Sequence, residues 1–191
     1  MRKISEQMEM HVKQIGIVGG TGYTGVELLR MLAVHPEVEV RCLTSRSEAG
    51  KSVVSLYPWL HTYPDLVFDA PSVDALSACD LVFYATPNQI AMHDAPALIE
   101  SGCRVIDLAA DFRFSNVSAW EQTYQATHAA PELAQQAVYG LPEQFRATIA
   151  KASLVGNPGC YPTASILALL PLVEAGLLSD THVILDGKSG A

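Results

Sequence analysis

One cysteine of this chain lies in a turn of glycine and proline, within the block G-N-P-G-C-Y-P-T at residues 156–163. The apolar segment 163–178 follows it directly and predicts a helix. Helix N-termini carry unpaired backbone N–H groups and a partial positive charge, so a thiol held there loses its proton more easily. Because the thiolate is the reactive form, the pattern predicts that Cys160 is a nucleophile. A buried structural cysteine is the alternative.

A glycine-rich loop, G-G-T-G-Y-T-G at residues 19–25, indicates a second kind of chemistry. Gly19, Gly22 and Gly25 follow an apolar strand at 15–18 and open a helix. Glycines at these positions allow a tight turn and let a pyrophosphate approach the backbone N–H groups at the helix start. This strand, loop and helix context is what a dinucleotide fingerprint requires. A turn needed only for helix–strand packing is the alternative.

The residues after the second predicted strand, 38–44, indicate which dinucleotide is bound. NAD binders usually place an acid there for the ribose 2′-hydroxyl, whereas this chain has Ser45-Arg46-Ser47. The planar guanidinium of Arg46 suits a 2′-phosphate, and the serine hydroxyls add donors. We therefore predict NADP as the cofactor. Glu48 lies just beyond, so NAD is an alternative cofactor. A further alternative is that these residues form a solvated basic loop that binds no ligand.

A dinucleotide loop and a reactive cysteine together narrow the reaction. Alcohol oxidation needs an acid/base group, whereas a thiolate is needed when a reaction passes through an acyl-enzyme thioester. A nicotinamide hydride can reduce that thioester to an aldehyde. The pair of motifs therefore predicts an enzyme that interconverts an acyl phosphate, or another acyl group, and an aldehyde.

The elements that would position these residues alternate between strands and helices from residue 15 onward. Further apolar strands are predicted at 66–68, 81–85, 105–108 and 183–186, and helices at 26–34 and 91–101. Fully apolar strands in a β-α-β rhythm imply an α/β fold with a parallel sheet covered on both faces. We predict a Rossmann-like, doubly wound sheet.

The bulk composition restricts the partners. The 191 residues include 12 Lys and Arg against 20 Asp and Glu, a formal charge of −8, without the basic cluster of a nucleic-acid footprint. The four cysteines form no C-x-x-C pair and the histidines lack zinc-ligand spacing, so no metal site is predicted. The sequence shows neither a signal peptide nor an apolar run of bilayer length. We predict a cytoplasmic protein with no membrane partner.

Four blocks of the sequence together carry a resemblance to a known family. They are G-G-T-G-Y-T-G-V-E-L at 19–28, A-A-D-F-R at 109–113, Y-G-L-P-E at 139–143 and the cysteine block at 156–163. They resemble the N-acetyl-γ-glutamyl-phosphate reductases, the arginine-biosynthesis branch of the semialdehyde dehydrogenase family. The P-G-C-Y-P-T motif is the most specific part, because it differs from the cysteine setting of aspartate-semialdehyde dehydrogenases. An enzyme of that second type is an alternative.

The resemblance implies a role for each matching residue. Cys160 would attack the γ-acyl phosphate of a small-molecule substrate, expel phosphate, and form the thioester that NADPH reduces to a semialdehyde. Arg113 and Asn157 would bind the substrate, although for Arg113 an ordinary surface ion pair is the alternative. The residues that would contact the cofactor are Gly19, Thr21, Gly22, Tyr23, Thr24, Gly25, Ser45, Arg46, Thr86, Pro87, Ser189 and Gly190.

The resemblance also implies a division of the chain. We predict a disordered extension at 1–13, an NADP-binding Rossmann domain at 14–155, and the incomplete start of an α+β catalytic and dimerisation domain at 156–191. A histidine that serves the family as general acid/base would lie beyond residue 191, and His128 is predicted to be a solvated loop residue.

Family members continue past the Ser/Gly loop in which this sequence stops. If the protein ends at Ala191, it would be a truncated and inactive reductase. An NADP-binding module without turnover is then the alternative function. A full-length chain would form a homo-oligomer, as the family does, and a fragment would expose apolar surface at 163–185.

Overall fold

The computed structural model describes residues 12–178 and 182–188, and its centre is a six-stranded sheet. The strands are β1 Lys13–Val18, β2 Val38–Thr44, β3 Leu81–Tyr84, β4 Arg104–Asp107, β5 Val138–Tyr139 and β6 Leu154–Gly156. They pair in the order β2-β1-β3-β4-β6-β5, and every pairing is parallel. The predicted extension at 1–13 falls almost wholly outside the described residues.

Eight helices connect or flank these strands within the described ranges. They are α1 Tyr23–Leu32, α2 Val53–Leu56, α3 Val73–Leu76, α4 Ala91–Glu100, α5 Val117–Tyr124, α6 Pro131–Gln136, α7 Pro142–Ile149 and α8 Cys160–Glu174. The predicted helices at 26–34, 91–101 and 163–178 are confirmed with shifted ends. The shift at the start of α8 matters for chemistry, because this helix begins at Cys160 itself.

The sheet buries apolar side chains on both faces, which confirms the predicted α/β fold. On one face Ile17 packs with Leu29 of α1 and with Phe68. On the other face Val82 packs with Leu98 of α4 and with Trp120 of α5, which is fully buried. Alternate residues of a strand point to opposite faces, so strands covered on both sides must be apolar throughout.

The carboxyl ends of the central strands bring the predicted motifs to one edge. β1 leads into the glycine loop, β3 into Thr86-Pro87, β4 into the loop 108–113, and β6 into the turn 157–159 before α8. The strand order changes direction at β1, which pairs with β2 on one side and with β3 on the other. Ligands of open parallel sheets bind in the crevice at such a switch point.

The strand predicted at 66–68 is wrong. The segment makes only single bridges, Ser52 with Val67 and Thr44 with Asp69, instead of a ladder. Phe68 is nonetheless fully buried in the core. The backbone bonds of the segment are scattered over two neighbours, since the Phe68 N–H donates to the Lys51 carbonyl at 2.9 Å and the Asp69 N–H to the Leu43 carbonyl at 2.8 Å, so no regular ladder forms.

The C-terminal part of the sheet also differs from the prediction. No strand forms in the described residues 182–188, and Ile184 is 91% exposed. A strand needs a partner to pair with, and within the described part of the chain this segment has none. Conversely, β5 and β6 form in a region whose short and weakly periodic runs predicted no strand, because β6 pairs with β4 and β5 pairs with β6.

Helix α8 leaves an apolar surface exposed, in agreement with the prediction for 163–185 in the part of that range that the structure describes. None of its residues is buried, and Leu172 and Val173 are 40% and 58% exposed. Apolar side chains continue beyond it at Leu177 and Leu185. Across the described ranges, no helix combines the length and the apolar character needed to cross a bilayer.

Candidate active site

The glycine loop is shaped by close contacts between backbone atoms. Gly19 has a φ of +85°, and a Cβ there would lie 2.4 Å from the carbonyl oxygen of Ala85. Its N–H and that of Gly20 both donate to the Thr44 carbonyl, at 3.2 and 3.1 Å. A Cβ on Gly25 would lie 2.5 Å from the Gly19 oxygen, so α1 packs directly on the loop. Two of the three fingerprint glycines are therefore required by the fold itself.

Gly22 differs from the other two because no described residue lies close enough to require a glycine there. A Cβ at this position would have no neighbour closer than the Gly19 oxygen at 3.8 Å. Gly22 is the N-cap of α1, whose first N–H groups have no partner within the helix. The open space over these N–H groups fits the close approach of a phosphate.

A cavity of about 370 Å³ lies next to this loop at the carboxyl edge of the sheet. It brings together seven of the predicted cofactor residues: Gly19, Thr21, Gly22, Ser45, Arg46, Thr86 and Pro87. Gly25 lies beneath the loop, Tyr23 is 99% exposed, and Thr24 is exposed in the first turn of α1. Ser189 and Gly190 lie outside the described residues.

Several cavity residues were not found by sequence reasoning. They are Val18, Thr44, Pro71, Ala85, Ile90 and Asp94. The hydroxyl oxygen of Thr86 is buried and has no hydrogen-bond partner among the described residues. An unpartnered buried hydroxyl in the wall of a cavity is consistent with a bound group that supplies its missing hydrogen bond.

Arg46 stays apart from the ion pair that the nearby acid Glu48 forms. Arg46 is exposed at the cavity wall, and no ion pair involves it among the described residues. Glu48 instead pairs with Lys51 at 2.6 Å, and a hydrogen bond from Lys51 lowers the pKa of that carboxyl. The acid that could have bound a ribose 2′-hydroxyl therefore already has a cationic partner and does not line the cavity.

The cysteine turn presents one thiol to solvent. Cys160 is the first residue of α8, after Gly159 as N-cap, and it is exposed. Cys42, Cys79 and Cys103 are all buried, and burial raises the pKa of each of these thiols to about 11. Of the four cysteines, Cys160 therefore has the accessibility that a nucleophile needs.

The turn that precedes Cys160 is held by the loop after β4. The Asn157 N–H donates to the Asp107 carbonyl at 2.8 Å, extending the pairing of β6 with β4. A Cβ on Gly156 would lie 2.1 Å from the Phe112 carbonyl oxygen, so the two backbone segments are in direct contact. Only glycine fits there, which explains the first residue of the cysteine block.

Gly156→Ala is expected to destabilise the chain by about 2 kcal/mol or more, because the added methyl group must displace backbone atoms of the loop after β4. Urea unfolding followed by circular dichroism measures the effect. Gly22→Ala is the matched control, since its methyl group meets open space, and its cost is limited to the poorer N-cap that alanine makes, about 1 kcal/mol or less. Equal effects of the two substitutions would contradict this account.

Arg113 holds the same turn through its guanidinium group. Nε donates to the Asn157 carbonyl at 2.7 Å and Nη2 to the Leu108 carbonyl at 2.9 Å. Nη1 lies beside Gly159, 3.3 Å from where its Cβ would be. The side chain is half-buried and makes no ion pair among the described residues, so the alternative of an ordinary surface ion pair does not apply. The Asn157 side chain is also half-buried and donates to the Pro158 carbonyl at 3.2 Å.

Two carboxyl groups are fully buried beneath this turn. Asp107 accepts hydrogen bonds from the N–H groups of Ala109 at 3.0 Å and of Asp111 at 3.1 Å. Burial and the neighbouring Asp111 raise the pKa of Asp107 to about 7, against the lowering effect of these N–H groups and of Arg113. Sequence reasoning did not select either acid, although acids directly after a buried strand were a usable signal.

His128 is not the solvated loop residue that was predicted. It is 4% exposed and its ring packs edge-on against Trp120, with the centroids 4.7 Å apart. Nδ1 accepts from the Ala130 N–H at 3.0 Å, so Nε2 donates to the Asp111 carbonyl at 2.7 Å. Both ring nitrogens have backbone partners, which makes this a structural histidine. The sequence around His128 consists of short polar pieces, and these gave no sign that the residue is buried.

Comparison with known proteins agrees with this geometry. Residues 14–152 match the family model of the semialdehyde dehydrogenase NAD binding domain, and residues 160–191 match that of the semialdehyde dehydrogenase dimerisation domain. N-acetyl-gamma-glutamyl-phosphate reductase of Halorhodospira halophila is 57% identical over 177 residues, which are 93% of this chain and 52% of that protein. The same enzyme of Marinobacter nauticus is 54% identical over 178 residues, again 93% and 52% of the two chains.

Solved structures share the fold at low sequence identity. Aspartate semialdehyde dehydrogenase of Candida albicans, crystallised with NADP, has a TM-score of 0.62 and 21% identity, covering 87% of this chain and 48% of that one. The chain spans about half the length of the curated relatives it matches. The NAD-binding family model covers most of the chain, and the loop, the cavity and the fold agree with it. This chain belongs to the semialdehyde dehydrogenase family.

Proposed function

We propose that the protein takes part in the NADPH-dependent reduction of N-acetyl-γ-glutamyl phosphate to N-acetylglutamate semialdehyde, a step of arginine biosynthesis, through a thioester on Cys160. One observation carries this proposal. The exposed thiol at the start of α8 lies at the same edge of the sheet as the cavity beside the glycine loop. The names of relatives at 54–57% identity support the choice of substrate.

The residues of this chain supply the first half of the reaction. Cys160 presents its thiol to solvent at the first position of α8, where a substrate can reach it. The thiolate attacks the γ-acyl carbon, the carbon–sulfur bond forms as the bond to the phosphate oxygen breaks, and inorganic phosphate leaves. Bound NADPH would supply the hydride that converts the thioester to an aldehyde and releases the thiolate.

The cavity residues fit an NADP molecule. The N–H groups at the start of α1, including those of Tyr23 and Thr24, would face the pyrophosphate over the open space at Gly22. Ser45 and Arg46 would hold the 2′-phosphate, and Thr86 and Pro87 would line the cofactor after β3. NADP bound to the related Candida albicans enzyme supports this choice over NAD.

Substrate binding is proposed for the residues that surround the turn. Arg113 keeps Nη1 beside Gly159, where it can donate to an anionic oxygen of the substrate, while its other nitrogens hold the turn. Asn157 offers its side-chain amide close by. The match of residues 160–191 to a dimerisation domain supports a homo-oligomer as the working assembly.

The reverse reaction tests this function. N-acetylglutamate semialdehyde and NADP⁺ should give NADPH absorbance at 340 nm only when phosphate is present, because phosphate releases the acyl group from the enzyme. Aspartate semialdehyde in place of the acetylated substrate tests the alternative enzyme type. NADPH binding without turnover on either substrate would favour a binding module and contradict the proposed activity of this chain.

Arg46→Ala is expected to weaken NADPH binding by about 10- to 100-fold and to leave NADH binding almost unchanged, because only NADPH carries the 2′-phosphate that the guanidinium would hold. Quenching of protein fluorescence or isothermal titration gives both dissociation constants. Lys51→Ala is the control, since Lys51 pairs with Glu48 and does not line the cavity. A loss of affinity shared equally by NADH and NADPH would contradict the role of Arg46.

A further inference from the structure

The loop that follows β3 contains a residue in an unusual conformation. Gln89 has a φ of +70°, in the left-handed region that residues with a Cβ rarely adopt. It lies between Pro87 and Ile90, both of which line the cofactor cavity. Strained backbone of this kind persists only where its surroundings hold it, and it is concentrated at functional sites.

The side chain of Asp111 holds this loop. One carboxylate oxygen accepts from the Gln89 N–H at 2.7 Å, and the other accepts from the Met92 N–H at 3.2 Å, in the first turn of α4. A second contact joins the same two segments, since Asn88 Oδ1 accepts from the Ala110 N–H at 3.0 Å. Asp111 is completely buried, so these N–H groups take the place of water around its carboxyl oxygens.

The backbone of the same segment holds the cysteine turn. The Asp111 N–H donates to the carboxylate of Asp107, whose own carbonyl accepts from Asn157. Arg113 then binds the Asn157 carbonyl. The loop 108–113 thus stands between the cavity loop on one side and the cysteine turn on the other, with direct hydrogen bonds to both.

We propose that Asp111 is a positioning residue that couples the cavity loop 86–90 to the turn carrying Cys160. This inference rests on the proposed function, since it assigns the cavity to the cofactor and the thiol to the acyl group. Asp111 acts through other residues and touches neither ligand. Its role is to keep the reacting thiol and the hydride donor's cavity in one fixed arrangement, which hydride transfer requires.

Asp111→Asn tests the proposal, because the amide keeps the shape but replaces one acceptor oxygen by a donor that faces a backbone N–H. Two properties of the folded variant should fall together: NADPH affinity by about tenfold, and the rate of Cys160 alkylation by iodoacetamide by about fivefold. Asp74→Asn is the matched control, since Asp74 also lies in the first turn of a helix, α3, but is exposed and far along the chain from both loops.

A second substitution identifies the route of the effect. Gln89→Gly relieves the left-handed strain, since glycine adopts that conformation readily. It should raise NADPH affinity more in the Asp111→Asn background than in the original chain, a positive coupling in a double-mutant cycle. If Asp111→Asn does not fold, Asn88→Ala, which removes the other contact between the two loops, is tested for the same two properties.

The outcomes separate this inference from the function on which it rests. Unchanged affinity and alkylation in Asp111→Asn, or a fall in only one of them, would overturn the coupling while leaving the proposed function intact. A fall in unfolding free energy alone, with both properties retained by the folded fraction, would show a merely structural role and would also overturn it. Failure of the original chain to bind NADPH would instead reject the proposed function.

Discussion

Cys160→Ser is expected to abolish covalent capture of the acyl group. With N-acetyl-γ-glutamyl phosphate, the original chain should gain the mass of one acyl group on Cys160, and the variant none over the same time. The hydroxyl group ionises far less readily than a thiol and is a weak nucleophile without an adjacent base, so the acylation rate should fall by about 10⁴-fold or more. Intact-protein mass spectrometry after acid quenching measures the adduct directly.

The other cysteines provide the control for this experiment. Cys103→Ala removes a buried thiol whose pKa is raised to about 11, and the adduct should form on Cys160 as before. The acylation experiment needs no hydride donor and therefore separates thiol chemistry from cofactor binding. Persistence of a stoichiometric adduct on the Cys160→Ser variant would remove Cys160 from the mechanism.

The second large effect concerns pH and stability, through Asp107. Burial and the neighbouring Asp111 raise the pKa of this carboxyl group from its ordinary value of 3.8 to about 7 in the folded chain. The folded state therefore binds the proton more tightly than the unfolded state does. The stability that this proton contributes is complete below the unfolded pKa and is lost as pH rises through about 7. Over this interval the loss amounts to about 4 kcal/mol at most.

Asp107→Asn isolates this contribution, since an amide does not titrate. Both chains are unfolded in urea between about pH 4.5 and 7.5. The free energy of unfolding of the original chain, minus that of the variant, should fall steadily as pH rises. The groups that face Asp107 are Asp111, which raises its pKa, and Arg113 and the N–H groups of Ala109 and Asp111, which lower it. Curves that stay parallel for the two chains over this range would contradict a raised pKa for Asp107.

The tertiary structure also explains why the four thiols of this chain differ so much in their exposure to solvent. Three cysteines lie in or beside the sheet core, where a charged sulfur would lose its hydration, and their raised pKa values keep them protonated near neutral pH. The fourth lies at a helix start in contact with solvent. An alkylating reagent at neutral pH should therefore modify Cys160 selectively, which makes alkylation a direct probe of the cysteine turn.

The elements that sequence reasoning predicted well are those with a strong local pattern. The strand at 38–44 is confirmed without change, and the strand that precedes the glycine loop is confirmed with a longer N-terminal end. The segment 66–68 was mistaken for a strand because three apolar residues satisfy that pattern equally well when one of them is buried. β5 and β6 were missed because two or three residues carry too little periodicity to be recognised without their pairing partners.

The sequence by itself determined the features that depend on nearby residues: the glycine loop after a buried strand, the helix that follows the cysteine turn, and Arg46 after the second strand. Only the tertiary structure decided what Arg113, Asp111 and His128 do. Each of them binds at least one backbone group that lies 17 or more residues away along the chain, and Arg113 binds one that lies 44 residues away. Local preferences are set within a few residues, whereas a buried charge or ring is stabilised by whichever distant N–H and C=O groups the fold brings to it.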